Sequence, residues 1–211
     1  MNPYFVWDAY EPAAGWRPFT ELFDAGVVAE RVAASRRALV AMTGLDEGAV
    51  PERVVASVLF LGIASRLVSP LLADALDGPV RGAGPEDLWW RPVPGGPWPM
   101  AVGEVAPRPA AELFEVAVEG LVAPLLEVFR ARFRLSHRVL WGNVASALGG
   151  AAGQLPARAW QAVADLLDRP PLAGMAVVVE GRLERRNCCL YYRIPGGGVC
   201  GDCVLRPRPR P

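Results

Sequence analysis

The sequence predicts a mainly α fold, in which a helical body over residues 1–174 carries a short β-hairpin-like insertion and is followed by a small cysteine-bearing unit over residues 175–205. Three observations support this prediction. Apolar residues recur at helical spacings through most of the body, prolines and glycines concentrate in residues 79–109, and all four cysteines follow residue 187. A chain of 211 residues can bury a core without disulfide staples, so the cysteines are available for chemistry.

Two helices are predicted in the N-terminal half, after an irregular arm. Residues 1–19 place aromatic side chains among prolines and a glycine, which is typical of an arm that packs onto the body. One helix is expected over residues 20–44, and a second over residues 51–78 with a kink at Pro70. The second helix is apolar around most of its circumference, so we expect it to be the central helix of the body.

The segment over residues 79–109, rich in proline and glycine, interrupts the helical pattern. It predicts two short strands joined by Pro94-Gly95-Gly96-Pro97. Because proline cannot donate a backbone hydrogen bond, these strands are expected at a sheet edge. Trp89, Trp90 and Trp98 predict either a buried hairpin face or an aromatic wall for a ligand.

Helical spacing returns over residues 110–167, with an interruption expected near Gly120. Ser136 is a candidate N-cap for a helix that ends at Gly149, and Pro156 is expected to begin the last helix. Beyond that helix we predict two short β-prone segments, Met175–Val179 and Leu190–Ile194. The chain is expected to continue into an extended, solvated tail over residues 206–211.

Charge and hydropathy exclude several functional classes. Basic and acidic residues number 22 each, so there is no net positive charge to attract nucleic acid, and no nucleic-acid binding is expected. The longest uncharged apolar run, residues 54–65, is shorter than the ~20 residues of a bilayer span, so no transmembrane segment is predicted. The N-terminus lacks the pattern of a secretory signal, which favours a cytoplasmic protein, while peripheral membrane contact stays open.

The cysteines carry the strongest functional signal. Cys188, Cys189, Cys200 and Cys203 follow the spacing C-C-x10-C-x2-C. In a reducing compartment, clustered cysteines are more often metal ligands or redox groups than disulfides. A bridge between Cys188 and Cys189 would also be strained, because adjacent α-carbons lie about 3.8 Å apart whereas disulfides need ~4.4–6.8 Å. A metal site is therefore the favoured interpretation.

Zinc and an iron-sulfur cluster are the two kinds of site that fit four thiolates. Cys200-Gly201-Asp202-Cys203 is half of a zinc knuckle, but the adjacent pair has no intervening residue to turn both side chains onto one ion. A two-iron cluster has two metal centres, so adjacent thiolates reach it with less distortion. The spacing differs from the common ferredoxin spacings, and the residues alone favour a cluster without excluding zinc.

The stretch from Arg185 to Cys203, with its adjacent cysteines and the later Cys-Gly-Asp-Cys, resembles the C-terminal signature of the ferric-siderophore reductases of the FhuF type. Residues 138–143, Arg-Val-Leu-Trp-Gly-Asn, are also similar to that family. The resemblance implies that the four cysteines hold one [2Fe-2S] cluster and that the protein is an oxidoreductase. The implied activity is one-electron reduction of Fe(III) in a cytoplasmic siderophore, expected to be of the hydroxamate type, with release of Fe(II).

Candidate substrate-binding residues lie near the cysteines and in the second motif. They are Arg186, Tyr192, Arg193 and Asn143. The charges of Arg185, Arg186 and Arg193 would also raise the reduction potential of a cluster, although a solvated surface role is an equally simple interpretation. His137, the single histidine, is expected to be exposed in the first turn of its helix.

The electron donor is expected to be external. No Gly-rich dinucleotide fingerprint or P-loop follows a predicted strand, which favours a ferredoxin, a flavin reductase or a similar donor. Two other functions stay open from the residues alone. One is a helical binding module whose C-terminal segment is held in place by a zinc ion on the four cysteines. The other is an iron-sulfur protein that senses redox state or iron.

Overall fold

The computed structural model describes residues 2–12, 15–93 and 97–206, and within these ranges the predicted mainly α fold is confirmed. The helices are α1 (Ala25–Thr43), α2 (Glu52–Asp77), a π-helix (Phe114–Val122) that continues into α3 (Ala123–Phe133), α4 (His137–Ala152) and α5 (Ala159–Leu167). The short strands are β1 (Asp8–Ala9), β2 (Arg17–Pro18), β3 (Val80–Arg81), β4 (Leu88–Trp90), β5 (Met100–Val102), β6 (Pro107–Arg108), β7 (Ala176–Val179) and β8 (Arg182–Arg185).

Helix α2 is the centre of the body, as its apolar circumference predicts. Helices α1, α3 and α4 all pack against it, and its most extensive contact is with α4. Phe60 and Leu67 are fully buried, and Pro70 lies inside the helix without ending it. By length and composition alone α2 is apolar enough to cross a membrane, but 72% of its most apolar stretch is buried within the fold, as expected of a core helix.

The segment rich in proline and glycine builds the centre of a small sheet. The strand order is β1-β5-β4-β2, with β4 antiparallel to both β5 and β2 and with β1 parallel to β5. The prediction of an edge position is wrong, because the prolines of this segment lie outside the paired residues of β4 and β5. Residues 94–96 of the predicted connecting loop lie outside the described residues.

The N-terminal arm is more regular than predicted, since it supplies both outer strands of that sheet, β1 and β2. Its aromatic side chains are fixed by specific contacts. Trp7 is buried and donates its Nε1–H to the carbonyl of Arg66 at 2.8 Å, and Tyr10 stacks on Trp89 with ring centroids 3.7 Å apart. These contacts hold a segment rich in proline against the body.

The later helices confirm two sequence predictions and correct two others. Ser136 is the N-cap of α4, where its Oγ accepts a hydrogen bond from Val139 N–H at 3.3 Å, and the interruption near Gly120 takes the form of the π-helix. Helix α4 does not stop at Gly149 but continues to Ala152, because that glycine lies on a buried, closely packed face. Helix α5 begins after a turn that includes Pro156, not at this proline.

The C-terminal strands also differ in part from the prediction. The β-prone segment Met175–Val179 forms β7, but its partner β8 is the charged segment Arg182–Arg185. Leu190–Ile194 is not a strand. Leu190 has a positive φ of 73°, and residues 191–193 form a 3-10 turn, because the chain reverses direction directly after the adjacent cysteines.

Two glycines of α4 position the C-terminal unit against the body. Gly142 and Gly149 are seven residues apart, so they lie two turns apart on one face of the helix. A Cβ atom on Gly142 would overlap the side-chain amide of Asn187, and a Cβ on Gly149 would lie 2.7 Å from the side chain of Leu183. The absence of side chains at both positions lets β8 and the cysteine segment lie directly on α4.

Candidate metal centre

Two short turns bring the four cysteines together. The first follows the β7–β8 hairpin and holds Cys188 and Cys189, which lie outside any strand. The second spans residues 200–203, where the amide of Cys203 donates to the carbonyl of Cys200 at 3.2 Å. The amide of Arg185 donates to the carbonyl of Asp202 at 3.4 Å and so links β8 to the second turn.

Both turns are fastened to the helical body by serine hydroxyls. Ser57 of α2 donates to the carbonyl of Cys189 at 2.8 Å, and this serine is fully buried. Ser146 of α4 donates to Asp202 Oδ2 at 2.6 Å. Because each hydrogen bond joins the body to one turn, α2 and α4 together set the distance between the two turns.

One thiol from each turn forms a close pair. The Sγ atoms of Cys189 and Cys200 lie 3.8 Å apart. Two sulfurs on one tetrahedral metal with bonds of ~2.3 Å lie roughly 3.7 Å apart. The pair therefore already has the separation of two ligands on a single metal centre.

The other two thiols have backbone donors in place. Leu190 N–H donates to Cys188 Sγ at 3.3 Å, and Leu205 N–H donates to Cys203 Sγ at 3.4 Å. Cys188 and Cys203 also lie within electrostatic range of each other. Amide bonds to sulfur stabilise thiolates and are one of the means by which proteins set the properties of iron-sulfur sites.

The close thiol pair is compatible with a site that has two metal centres. Among residues 2–12, 15–93 and 97–206, no three Cys, His, Asp or Glu side chains converge closely enough to hold a single ion. A structural zinc ion needs four ligands on one centre, whereas a two-iron cluster needs two on each. Cys189 and Cys200 have the separation of two ligands on one centre, and each of the other two thiols has its own backbone donor.

The electrostatic surroundings favour a thiolate at Cys189. Its contact with Cys200 lowers the pKa of Cys189 to about 6, and the amide of Tyr191 and the charge of Arg185 act in the same direction. The pKa of Cys200 is raised, because its proton is shared with that thiolate. Burial raises the pKa of Cys188. Metal ligation removes these protons, so a positive charge close by assists binding.

Arg185 is the buried cation of the site. It is 1% exposed, and its Nη2 donates to Asn143 Oδ1 at 2.9 Å and to Asn187 Oδ1 at 3.0 Å. Its Nε, 4.0 Å from Asp202 Oδ2, and its Nη1 have no hydrogen-bond partner within the described part of the chain. Buried N–H groups are rarely left unpaired, and an all-thiolate cluster is a negatively charged group that would supply acceptors. The residues present therefore fit a [2Fe-2S] cluster.

Asn143, predicted as a substrate contact, is fully buried. Its Nδ2 donates to both the carbonyl and the Oγ of Ser57 at 2.9 Å, and its Oδ1 accepts from Arg185. Since Ser57 bonds Cys189 in turn, Asn143 joins the buried cation to the first cysteine turn. The structure thus gives Asn143 a positioning role.

The other predicted substrate-binding residues lie on the surface of the cysteine unit. Arg186, Tyr192 and Arg193 are exposed, and Arg193 Nε donates to the Tyr192 hydroxyl at 3.4 Å. They are accessible to a substrate or a partner, and their role stays a prediction. His137 is exposed, as predicted, and its Nε2 lies 2.7 Å from Glu127 Oε1.

A groove next to the cysteine unit is the main feature that the sequence did not reveal. It encloses about 790 Å3 between α1, α2, the loops around β4 and β5, and the turn after Cys189, and this volume is typical of ligand pockets. Its aromatic surface is formed by Tyr4, Trp98 and Tyr191, while Phe19 and Trp90 lie fully buried beneath it. Trp90 and Trp98 stack with centroids 4.7 Å apart, so the tryptophan-rich segment was the signal that pointed to it.

Comparison with known proteins bears on the C-terminal unit. Residues 185–205 match the family described as the FhuF 2Fe-2S C-terminal domain. The ferric siderophore reductase of Escherichia coli (strain K12) is 22% identical to this chain over 47% of the chain and 43% of the relative. The match thus spans less than half of that relative. It confirms the resemblance seen in the cysteine spacing, and the cofactor of this segment is a [2Fe-2S] cluster.

Proposed function

We propose that the chain is a ferric-siderophore reductase that holds one [2Fe-2S] cluster on Cys188, Cys189, Cys200 and Cys203 and acts in the cytoplasm. One observation carries this proposal: a thiol pair 3.8 Å apart lies beside the buried Arg185, whose Nε and Nη1 lack hydrogen-bond partners among the described residues. The segment involved is the one that matches the FhuF 2Fe-2S C-terminal domain. The name of the similar protein, a ferric siderophore reductase, supports the choice of substrate.

The thiol geometry supports a specific pairing of the ligands. Cys189 and Cys200, already at the separation of two ligands on one metal, share one iron, and Cys188 and Cys203 bind the other.

The reaction needs one electron and no covalent catalysis. When bound, a [2Fe-2S] cluster supplies single electrons at potentials that reach roughly −400 mV. The substrate Fe(III) accepts one electron and becomes Fe(II), which the hard oxygen ligands of a siderophore hold far less well. An external donor, such as a ferredoxin or a flavin reductase, replaces the electron that the protein has given up. One electron from the donor is therefore consumed for each Fe(III) reduced.

The chain's own residues tune this transfer. Arg185 and the amides of Leu190, Tyr191 and Leu205 place positive charge and N–H dipoles around the sulfurs. These groups favour the state with one more negative charge, so they raise the reduction potential. The buried Asn143 fixes the position of Arg185.

The proposal is tested by steady-state release of Fe(II). The anaerobically purified protein is supplied with an external reductant and a ferric siderophore, and Fe(II) is trapped by a coloured chelator. We expect continuous Fe(II) formation that depends on the protein and is lost in Cys189→Ser. A cluster that is reduced and reoxidised without sustained Fe(II) release would favour the sensor, and a protein with neither cluster nor reduction would favour the zinc-stapled binding module.

A further inference from the structure

We infer that the groove beside the cysteine unit binds the ferric siderophore and prefers complexes with a net negative charge. This inference rests on the proposed function and deepens it, because it names the substrate class. It adds a charge criterion to the hydroxamate expectation, since a complex in which three hydroxamate groups bind Fe(III) is close to neutral. Complexes that keep free carboxylates or hydroxycarboxylates are anionic.

The charged side chains of the groove are all cationic among the described residues that line it. They are Arg31, Arg37 and Arg66. Arg66 is 4% exposed, and its Nε and Nη2 donate to the carbonyls of Trp98 and Val6 at 2.8 and 2.7 Å. Its Nη1 has no hydrogen-bond partner among the described residues. The buried guanidinium adds positive charge beneath the groove, which the nearby carboxylate of Asp8 offsets in part.

Two further arginines extend this positive potential along α1. Arg31 pairs with Glu30 through Nη2, but its buried Nε has no partner in the described part of the chain. Arg37 is exposed at the rim of the groove and makes no hydrogen bond or ion pair with any described residue. Cations that line a low-dielectric groove attract anionic ligands and disfavour cationic ones.

The rest of the lining defines the body of the ligand. Apart from the arginines and Ser35, the lining is apolar or aromatic and includes Trp98 as well as Val58 and Leu59 of α2. Apolar walls with a few placed cations are typical of sites for ligands that combine an apolar scaffold with anionic groups. A siderophore with carboxylate groups on a carbon framework has this chemistry.

The groove lies next to the close thiol pair. The backbone amide of Tyr191 donates to Cys189, while the same residue and Ile194 form the groove wall nearest the cysteines. Tyr191 thus belongs both to the groove wall and to the turn that holds Cys189. This position suits electron transfer from the cysteine unit to bound Fe(III).

Binding can be measured without turnover by use of gallium. Ga(III) matches Fe(III) in charge and size but is not reduced, so its complexes report affinity alone. We would titrate the anaerobically purified full chain with Ga(III)-aerobactin, which carries free carboxylates, and with the neutral Ga(III)-ferrichrome, by calorimetry at low and high salt. We expect the anionic complex to bind at least about tenfold more tightly at low salt, with an advantage that shrinks as salt screens the charges.

Two pairs of variants locate the site. Gly62 of α2 lines the groove and a Cβ there meets nothing within 4 Å, so the side chain of Gly62→Leu starts in open space and fills part of the groove. Gly150→Leu, at an exposed helical glycine with open space, is the matched control. Arg37→Gln removes a rim charge, and Arg134→Gln, at an exposed arginine that does not line the groove, controls for net charge.

The expected pattern is specific. Gly62→Leu weakens the anionic complex at least about tenfold, Arg37→Gln weakens it about two- to fivefold with no effect on the neutral complex, and both controls bind as the unchanged protein does. Equal affinity for the two complexes, tighter binding of the neutral one, no binding, or unchanged binding in Gly62→Leu would each overturn the inference. If binding fails in one of these ways but the protein still reduces Fe(III), the inference is refuted and the proposed function stands. If the anionic complex binds as expected but its Fe(III) is not reduced, the proposed function is refuted and the inference stands.

Discussion

The Sγ atoms of Cys189 and Cys200 lie 3.8 Å apart although residues 190–199 separate them in the chain. The contact closes a loop between the two cysteine turns, and the proposed ligand pairing assigns Cys188 and Cys203 to the second iron. Each of these two sulfurs accepts a backbone amide bond. With the adjacent cysteines divided as proposed, a C-C spacing that suits one zinc ion poorly would suit a two-iron cluster.

This division of the ligands predicts how cysteine-to-serine variants group. Serine oxygen is a harder ligand than thiolate, so it changes the iron that it binds. We expect Cys189→Ser and Cys200→Ser to give one type of electron paramagnetic resonance spectrum after reduction, and Cys188→Ser and Cys203→Ser another. Spectra in which the Cys188 and Cys189 variants group together would contradict the pairing.

Removal of the buried cation should lower the reduction potential. Arg185→Met takes away a positive charge that favours the more negative reduced state, and we expect a fall on the order of 50 mV in a redox titration followed by absorbance. It also leaves Asn143 and Asn187 without a donor, at a cost of about 1–3 kcal/mol in the free energy of unfolding. Arg186→Met changes an exposed, solvent-screened charge next to it and serves as control. Equal shifts in the two variants would show that the burial of Arg185 has no special effect.

A methyl group on the docking face of α4 should loosen the cysteine unit. In Gly142→Ala the new Cβ overlaps the Asn187 amide, so we expect a loss of about 1–3 kcal/mol in the free energy of unfolding and a smaller cluster content. Gly150→Ala adds the same group to the same helix in open, exposed space, and should stabilise it by up to about 1 kcal/mol. Thermal unfolding and visible absorbance measure both quantities. Similar behaviour of the two variants would refute direct docking on Gly142.

Loss of one buried hydroxyl should separate the first cysteine turn from α2. Ser57→Ala removes the bond to the Cys189 carbonyl and one acceptor of Asn143, so we expect a destabilisation of about 1–2 kcal/mol and faster loss of the cluster to a chelator. Ser65→Ala is the control in the same helix, because the hydroxyl of Ser65 bonds no described group except the carbonyl of Leu61 one turn earlier. Chelation at the same rate in both variants would argue against this role for Ser57.

Local patterns explain which parts of the fold could be predicted. The apolar circumference of α2, the cap at Ser136 and the break near Gly120 depend on residues close together in the chain, and all three are found in the structure. The failures involve long-range packing. Helix α4 continues past Gly149, which Leu183 covers. Strands β4 and β5 lie at the centre of a sheet because the distant N-terminal arm pairs with both.

The same contrast between local patterns and long-range packing applies to the candidate site. The cysteine spacing could be interpreted as a metal site because adjacent and CxxC thiols carry chemistry in one short segment. The positioning role of Asn143 and the burial of Arg185 depend on the packing of α2, α4 and β8, which no local pattern encodes. The groove likewise combines α1, α2, the small sheet and Tyr191. The tryptophans alone therefore indicated an aromatic wall but did not predict the rest of the groove.

Metal and sulfide analysis of anaerobically purified protein tests the central claim most directly. We predict red-brown protein with about two irons and two acid-labile sulfides per chain and a visible spectrum that bleaches with dithionite. Colourless protein that holds one zinc ion and no labile sulfide would contradict the account.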